Sequence, residues 1–200
     1  MSKTTVASTG IDLSDNFAFT GTITGTPSDA VLVSSSTGGG ATTQAINGCF
    51  SSTYKYYMIL ANITMSGNAQ VYFRFQDSSN NALSASVYYY QGYRSSNPSG
   101  SIALAALGSF GNDACTTGLE ILSASNRFGM YRIFVHDPFS SSSKTNYSQL
   151  YSCQSSSSEF RTAETAGVYD TETSMTGIRF ISANSNTIGS ASSFKVYGLK

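Results

Sequence analysis

The sequence predicts an all-β, jelly-roll-like two-sheet sandwich with an extended N-terminal arm. Three observations point there. Short apolar runs alternate at period two, as where Val71, Phe73 and Phe75 face one way and Tyr72, Arg74 and Gln76 the other. Clusters of Ser, Asn and Gly, which favour turns, separate these runs. No long window carries the i, i+3, i+4 spacing of an amphipathic helix.

The division falls near residue 43. Residues 1–43 hold few large apolar side chains and read as an arm for attachment or for adding a strand to another subunit. Within it, Phe17–Thr26 alternates Thr with small or apolar residues and reads as a strand, while Thr26–Asp29 and Ser34–Gly40 read as loops. One strand alone is not stable in water, so this one needs a partner.

Residues 44–200 read as the sandwich. Tyr54–Met65 is a long strand whose centre is apolar enough for burial on both faces. Gln70–Gln76 follows, then a turn over Asp77–Asn81 and a strand over Leu83–Tyr90. Further strands are expected at Ser101–Leu107, Leu119–Leu122, Met130–His136, Gln149–Cys153, Phe160–Thr162, Gly177–Ala183 and Ser193–Leu199. In Met130–His136 the alternation sets Tyr131, Ile133 and Val135 opposite Arg132 and Phe134. Asn184–Thr187 gives a hairpin signal between the last two strands. Eight to ten short strands joined by such turns suit a sandwich or jelly roll.

Composition narrows the function. Charged residues are 11 % of the chain, against a usual share of about 25 %, and eleven basic side chains balance eleven acidic ones. Thirteen Tyr and twelve Phe supply a real core despite this low charge. The arginines are scattered singly, which argues against phosphate and nucleic-acid binding. No run approaches the 18 or so apolar residues of a membrane-spanning helix, and residues 1–10 lack a secretory apolar region. The protein is therefore expected to mature where it is made. Cys49, Cys115 and Cys153 are an odd, widely spaced set without a C-x-x-C, so they read as reduced, half-buried strand residues rather than zinc ligands or a redox pair.

No catalytic constellation stands out. His136 is the single histidine and ends an alternating strand, so a structural role is expected. The acids are dispersed. Asp170 and Glu172 are the closest pair in a plausible strand or loop and could share one face, but a solvated loop explains them. Gly38–Gly40 has no following Lys and reads as a linker, not a phosphate loop. Neither cofactor nor metal is expected.

The most unusual segment is Tyr88, Tyr89, Tyr90, Gln91, Gly92, Tyr93 and Arg94. Consecutive tyrosines on a strand must face both sides of the sheet, so some rings lie outward. Tyr with Ser, Gly and Asn suits adaptable contact surfaces, and Tyr rings can stack on sugars. Tyr88, Tyr89, Tyr90, Tyr93 and Arg94 are the candidate receptor or subunit contacts; packing under loops is the competing reading.

Several segments together resemble a C-terminal β domain of virion structural and tail-fibre proteins of tailed bacteriophages, of the kind found in phages of marine bacteria and cyanobacteria. They are Phe50–Tyr57 before its apolar strand, Val71–Phe75 with its Ser/Asn loop and Tyr-rich continuation, Asp137–Phe139 before a serine run, and Phe194–Lys200. Ser8–Asp15 with Phe19–Gly25 resembles the N-terminal or shaft repeats of such fibres. The resemblance implies a non-enzymatic, jelly-roll-like homotrimer on the virion surface, assembled in the host cytoplasm and docked on other tail or capsid proteins through its arm. It implies a short tail fibre or fibre tip that can meet a host-surface glycan. A capsid decoration (cement) protein is the alternative, since the chain is short for a long shaft, and a lectin or carbohydrate-active enzyme is the reading from another class.

Overall fold

The computed structural model describes residues 29–96, 103–121, 128–154 and 160–200. Among these, no helix occurs and twelve strands run in chain order: β1 (Ala30–Thr37), β2 (Thr43–Ile46), β3 (Tyr56–Ile63), β4 (Ala69–Gln76), β5 (Tyr88–Ser96), β6 (Ala103–Asn112), β7 (Cys115–Ile121), β8 (Gly129–His136), β9 (Thr145–Gln154), β10 (Phe160–Tyr169), β11 (Gly177–Ser182) and β12 (Ser193–Leu199). They form two sheets. The large one has the order β1-β12-β3-β8-β9-β10-β5-β6 and the small one β2-β11-β4-β7.

Every pairing is antiparallel. The two sheets are wound together as ribbons. β11 and β4 are neighbours in the small sheet, and their chain continuations β12 and β3 are neighbours in the large one; β4–β7 and β3–β8 repeat the relation. This is the jelly-roll-like sandwich the sequence predicts.

The core lies between the sheets and is dominated by rings. Phe75 is fully buried, with ring centroids of Phe73 at 5.5 Å, Tyr147 at 5.9 Å, Tyr88 at 6.1 Å, and Phe50 and Tyr169 each at 6.3 Å. Buried phenols are tolerated because backbone satisfies several of them. The Tyr88 hydroxyl accepts from Phe75 N at 2.8 Å and donates to Leu83 O at 3.1 Å. Tyr57 does the same at Ser51, and Tyr131 donates to Val71 O at 2.9 Å. All three cysteines are buried and unbridged.

Several expectations need correction. The boundary between an arm at 1–43 and a sandwich at 44–200 falls too late. Ala30–Thr37 is β1, hydrogen-bonded along β12, and Ser34–Thr37 is strand rather than loop. Its second half, Ser34–Thr37, is polar and reads as a loop, although the first half, Ala30–Val33, is apolar; a sheet edge is half solvated and does not demand apolar side chains. Tyr54–Met65 is not buried on both faces: in β3, Tyr57, Ile59, Ala61 and Ile63 are buried while Tyr56, Leu60 and Asn62 are exposed. Asn184–Thr187 is not a hairpin, because β11 and β12 lie in different sheets. The strand expected at Leu83–Tyr90 begins only at Tyr88. The Asp77 turn is present, with Asp77 Oδ1 accepting from Ser79 N at 2.9 Å and Asn81 N at 2.8 Å, and Asn80 at φ 63°. The strand read at Phe17–Thr26, residues 26–28 of the loop read after it, and the fibre-like segments Ser8–Asp15 and Phe19–Gly25 lie outside the described residues.

A truncation follows from the β1 correction. A chain beginning at Asp29 keeps every strand described above. A chain beginning at Gln44 loses β1 and the ties Gly38 N to Ser192 O and Gly40 N to Ile188 O, each 3.0 Å. The first is expected to melt cooperatively near the full chain's temperature, and the second to melt lower or be insoluble, as followed by circular dichroism. Equal melting of both would show that β1 contributes nothing to the sandwich.

Candidate functional site

Alternation along β5 splits the tyrosine run between two environments. Tyr88 is fully buried and Tyr90 is 8 % exposed, so both belong to the core and cannot touch a receptor or a neighbouring subunit. Asn112 Nδ2 donates to the Tyr90 hydroxyl at 3.2 Å. Tyr89 and Tyr93 take the opposite parity; Tyr89 is half-buried and Tyr93 is 51 % exposed. Arg94 shares the parity of Tyr88 and Tyr90 and is half-buried, so it does not flank Tyr93 on one face. Of the five predicted contacts, only Tyr89 and Tyr93 reach the outer surface of the large sheet.

Tyr93 donates to Glu164 Oε2 at 2.8 Å across the β5–β10 pair. That hydrogen bond, and then the carboxylate charge, hold the Tyr93 phenol above its usual range. Glu164 leads into a row that sequence reading missed. Following the register from strand to strand, Lys195, Leu60, Arg132, Leu150, Glu164 and Tyr93 lie side by side from β12 to β5. The row on one side of it contains Met58, Phe134, Ser148, Ala166 and Gln91, and the row on the other contains Asn62, Met130, Ser152, Thr162 and Ser95.

This outward face carries large apolar groups in the open: Met130 is 56 % exposed, Tyr56 52 %, Phe134 41 % and Leu150 38 %. The Arg132 guanidinium lies 5.9 Å from the Phe134 ring centroid. Three shallow depressions mark it. One of about 500 Å³ lies by Tyr56, Phe134, His136 and Asn146; one of about 310 Å³ by Leu60, Met130, Arg132 and Leu150; one of about 530 Å³ by Gln91, Tyr93, Glu164 and Ala166. The signal was in the sequence as the two-sided apolarity of Tyr54–Met65, which read as burial and is in fact exposure.

The remaining candidates do not converge. His136 packs against Tyr56, ring centroids 4.8 Å apart and 31° between planes. Asp170 pairs with Lys144, and Glu172 is exposed. Among the described residues, no group of three or more His, Cys, Asp or Glu side chains could hold a metal ion. The Cys49 and Cys115 thiols are pushed up to about 12 by burial, away from nucleophilic thiolate character at neutral pH. No helix among the described residues is long and apolar enough to cross a membrane. Compared with protein-family models, curated proteins and solved structures, the chain matches none.

Proposed function

We propose that the protein is a non-enzymatic structural component of a bacteriophage particle, a short tail fibre or fibre-tip protein held through the residues that precede β1. The observation that carries this reading is the open outer face of the large sheet. It presents Tyr56, Leu60, Met130, Phe134 and Leu150 in the open, interspersed with Lys195, Arg132 and Glu164, and such a surface suits permanent protein contact. The segment resemblances supply the setting. A protein that works by contact needs no converging acids, histidines or thiolates.

Capsid decoration is the second reading, and the shape of the face favours it. The depressions are shallow and spread along a broad sheet, as suits clamping a neighbouring protein better than gripping a small ligand. In the fibre reading, Tyr89 and Tyr93 are the outward rings left to stack on a host-surface glycan.

Quantitative mass spectrometry of particles purified from the virus that encodes the chain tests both. The fibre reading expects tens of copies per particle and the decoration reading hundreds. A protein abundant in infected cells but missing from purified particles overturns both readings.

A further inference from the structure

We propose that the outer face of the large sheet is a two-fold interface between two copies of this chain, with the axis in the interface plane along β9 at Leu150. This inference stands on the sheet itself and not on the virion reading: the second copy is the permanent contact of this face, and in the dimer Tyr93 is covered rather than open to a glycan.

The first ground is burial. In β3 large apolar residues stand at both parities, Tyr56, Met58 and Leu60 on one side and Tyr57, Ile59 and Ile63 on the other, a pattern suited to a strand covered on both sides. The chain covers only the side of Tyr57, Ile59 and Ile63, leaving Leu60 and Tyr56 exposed. Leu150 and Met130 on the neighbouring strands are left in the same state.

The second ground is charge. Arg132 and Glu164 flank Leu150 in one cross-strand row, on β8 and β10. They stand two strand spacings apart, roughly 9–10 Å, with Leu150 between them. Neither forms an ion pair among the described residues. A two-fold along β9 carries each position to the strand equally far on the other side. It sets Arg132 of one copy against Glu164 of the other, twice, with Leu150 on its own symmetry mate. A two-fold running across the strands does not pair the two charges.

Size follows the same symmetry. Phe134 on β8 comes opposite Ala166 on β10, and Met130 opposite Thr162, so large groups meet small ones. Leu60 comes opposite Tyr93, which gives that exposed ring an apolar partner. Lys195 falls three strands from β9, opposite Ala106, at the wet rim. Aligned sheets pack about 30° off parallel. Over one strand spacing that turns positions by only about 2–3 Å, within reach of Arg and Glu side chains.

The extent is sufficient. β9 has four strands on one side and three on the other, so seven strands overlap in the pair. At about 4.8 Å per strand and roughly 24 Å along the strands, the overlap is roughly 800 Å² per copy, the size of a standard stable interface. The symmetry is two-fold, where the phage resemblance implies three-fold.

Cysteine cross-linking on the full chain tests the axis. Leu150→Cys is expected to form an intermolecular disulfide on mild oxidation, while Leu60→Cys, two strands off the axis, is not; the native thiols are buried. Light scattering is expected to give twice the chain mass. Arg132→Glu and Glu164→Arg, each creating like-charge contacts, are expected to weaken the dimer roughly 100-fold. The double variant R132E/E164R is expected to restore it to within about tenfold, with unchanged melting of the dissociated chain. A monomer at micromolar concentration, a trimer mass, or failure of the double variant to recover would overturn the proposal. Linking through Leu60→Cys but not Leu150→Cys would overturn it in favour of another occupant or another axis.

Discussion

Replacing Phe75 by alanine is expected to lower stability by about 3–5 kcal/mol, the range for removing a fully buried aromatic ring. Phe75 sits on β4 of the small sheet, and its ring meets Phe73, Tyr88, Tyr147, Tyr169 and Phe50. Tyr88, Tyr147 and Tyr169 come from the large sheet, so this one side chain joins the two layers. The neighbouring rings are held by backbone and cannot all collapse into the space. Tyr88 in particular is anchored at its hydroxyl to Phe75 N and Leu83 O. Against a usual total of about 5–15 kcal/mol, the loss brings the chain close to unfolding and lowers the melting temperature by about 10 °C. Phe75→Leu, which keeps most of the volume, is expected to cost much less. Phe139→Ala, on a half-open loop position, is expected to cost about 1 kcal/mol or less. Urea denaturation measures all three, and a Phe75→Ala loss under about 1 kcal/mol would mean that the sheets are not joined through this ring.

Alkaline unfolding is the second large effect. Burial raises the Cys49 and Cys115 thiols from their ordinary 9.0 to about 12. It also raises the Tyr88, Tyr147 and Tyr151 phenols far above their ordinary 10.0. Below pH 9 the folded and unfolded chains both keep these protons, and stability is unaffected. From pH 9 the unfolded chain releases the thiol protons, and from pH 10 the phenol protons, while the folded chain keeps them. The unfolded state then binds fewer protons and stability falls as pH rises. Each group removes about 1.4 kcal/mol per pH unit above its ordinary value. Five such groups exhaust a usual folding stability near pH 11. Urea melts at pH 8, 9, 10 and 11 should show a plateau and then a steep decline. Tyrosinate absorbance of the buried phenols should appear together with unfolding. Cys115→Ala should flatten the decline. A stability that stays level through pH 10.5 would mean that these groups ionise inside the fold.

Much of the fold was legible from residue order because strand parity is a local property. Val71, Phe73 and Phe75 in β4, and Tyr131, Ile133 and Val135 in β8, take the faces their alternation demands. The last two strands fall where their apolar pattern puts them, and Asp77 makes its turn through bonds to residues two and four positions on. The three cysteines, read as half-buried strand residues, are fully buried, and Cys49 lies in the connection between β2 and β3 rather than in a strand. The division of the tyrosine run between two faces was legible too, but which rings face the core was not. Tyr88 and Tyr90 point inward because the small sheet lies on that side, and nothing within the run records it.

What tertiary structure alone decided is pairing across long separations. β1 joins the sandwich through β12, more than 150 residues away, so its short apolar run Ala30–Val33 did not reveal where it belongs. β11 and β12 part into different sheets, β11 between β2 and β4 and β12 between β1 and β3. The row of Leu60, Arg132, Leu150 and Glu164 draws on β3, β8, β9 and β10, and β3 lies beside β8 although four strands separate them in the chain. The sequence by itself determined that this protein is built of strands, where most of them lie and which parity each one carries. The register between strands, and therefore the face on which apolar and charged groups meet, was decided only by the fold, because a strand's alternation repeats every two residues and records nothing about the neighbour it will meet.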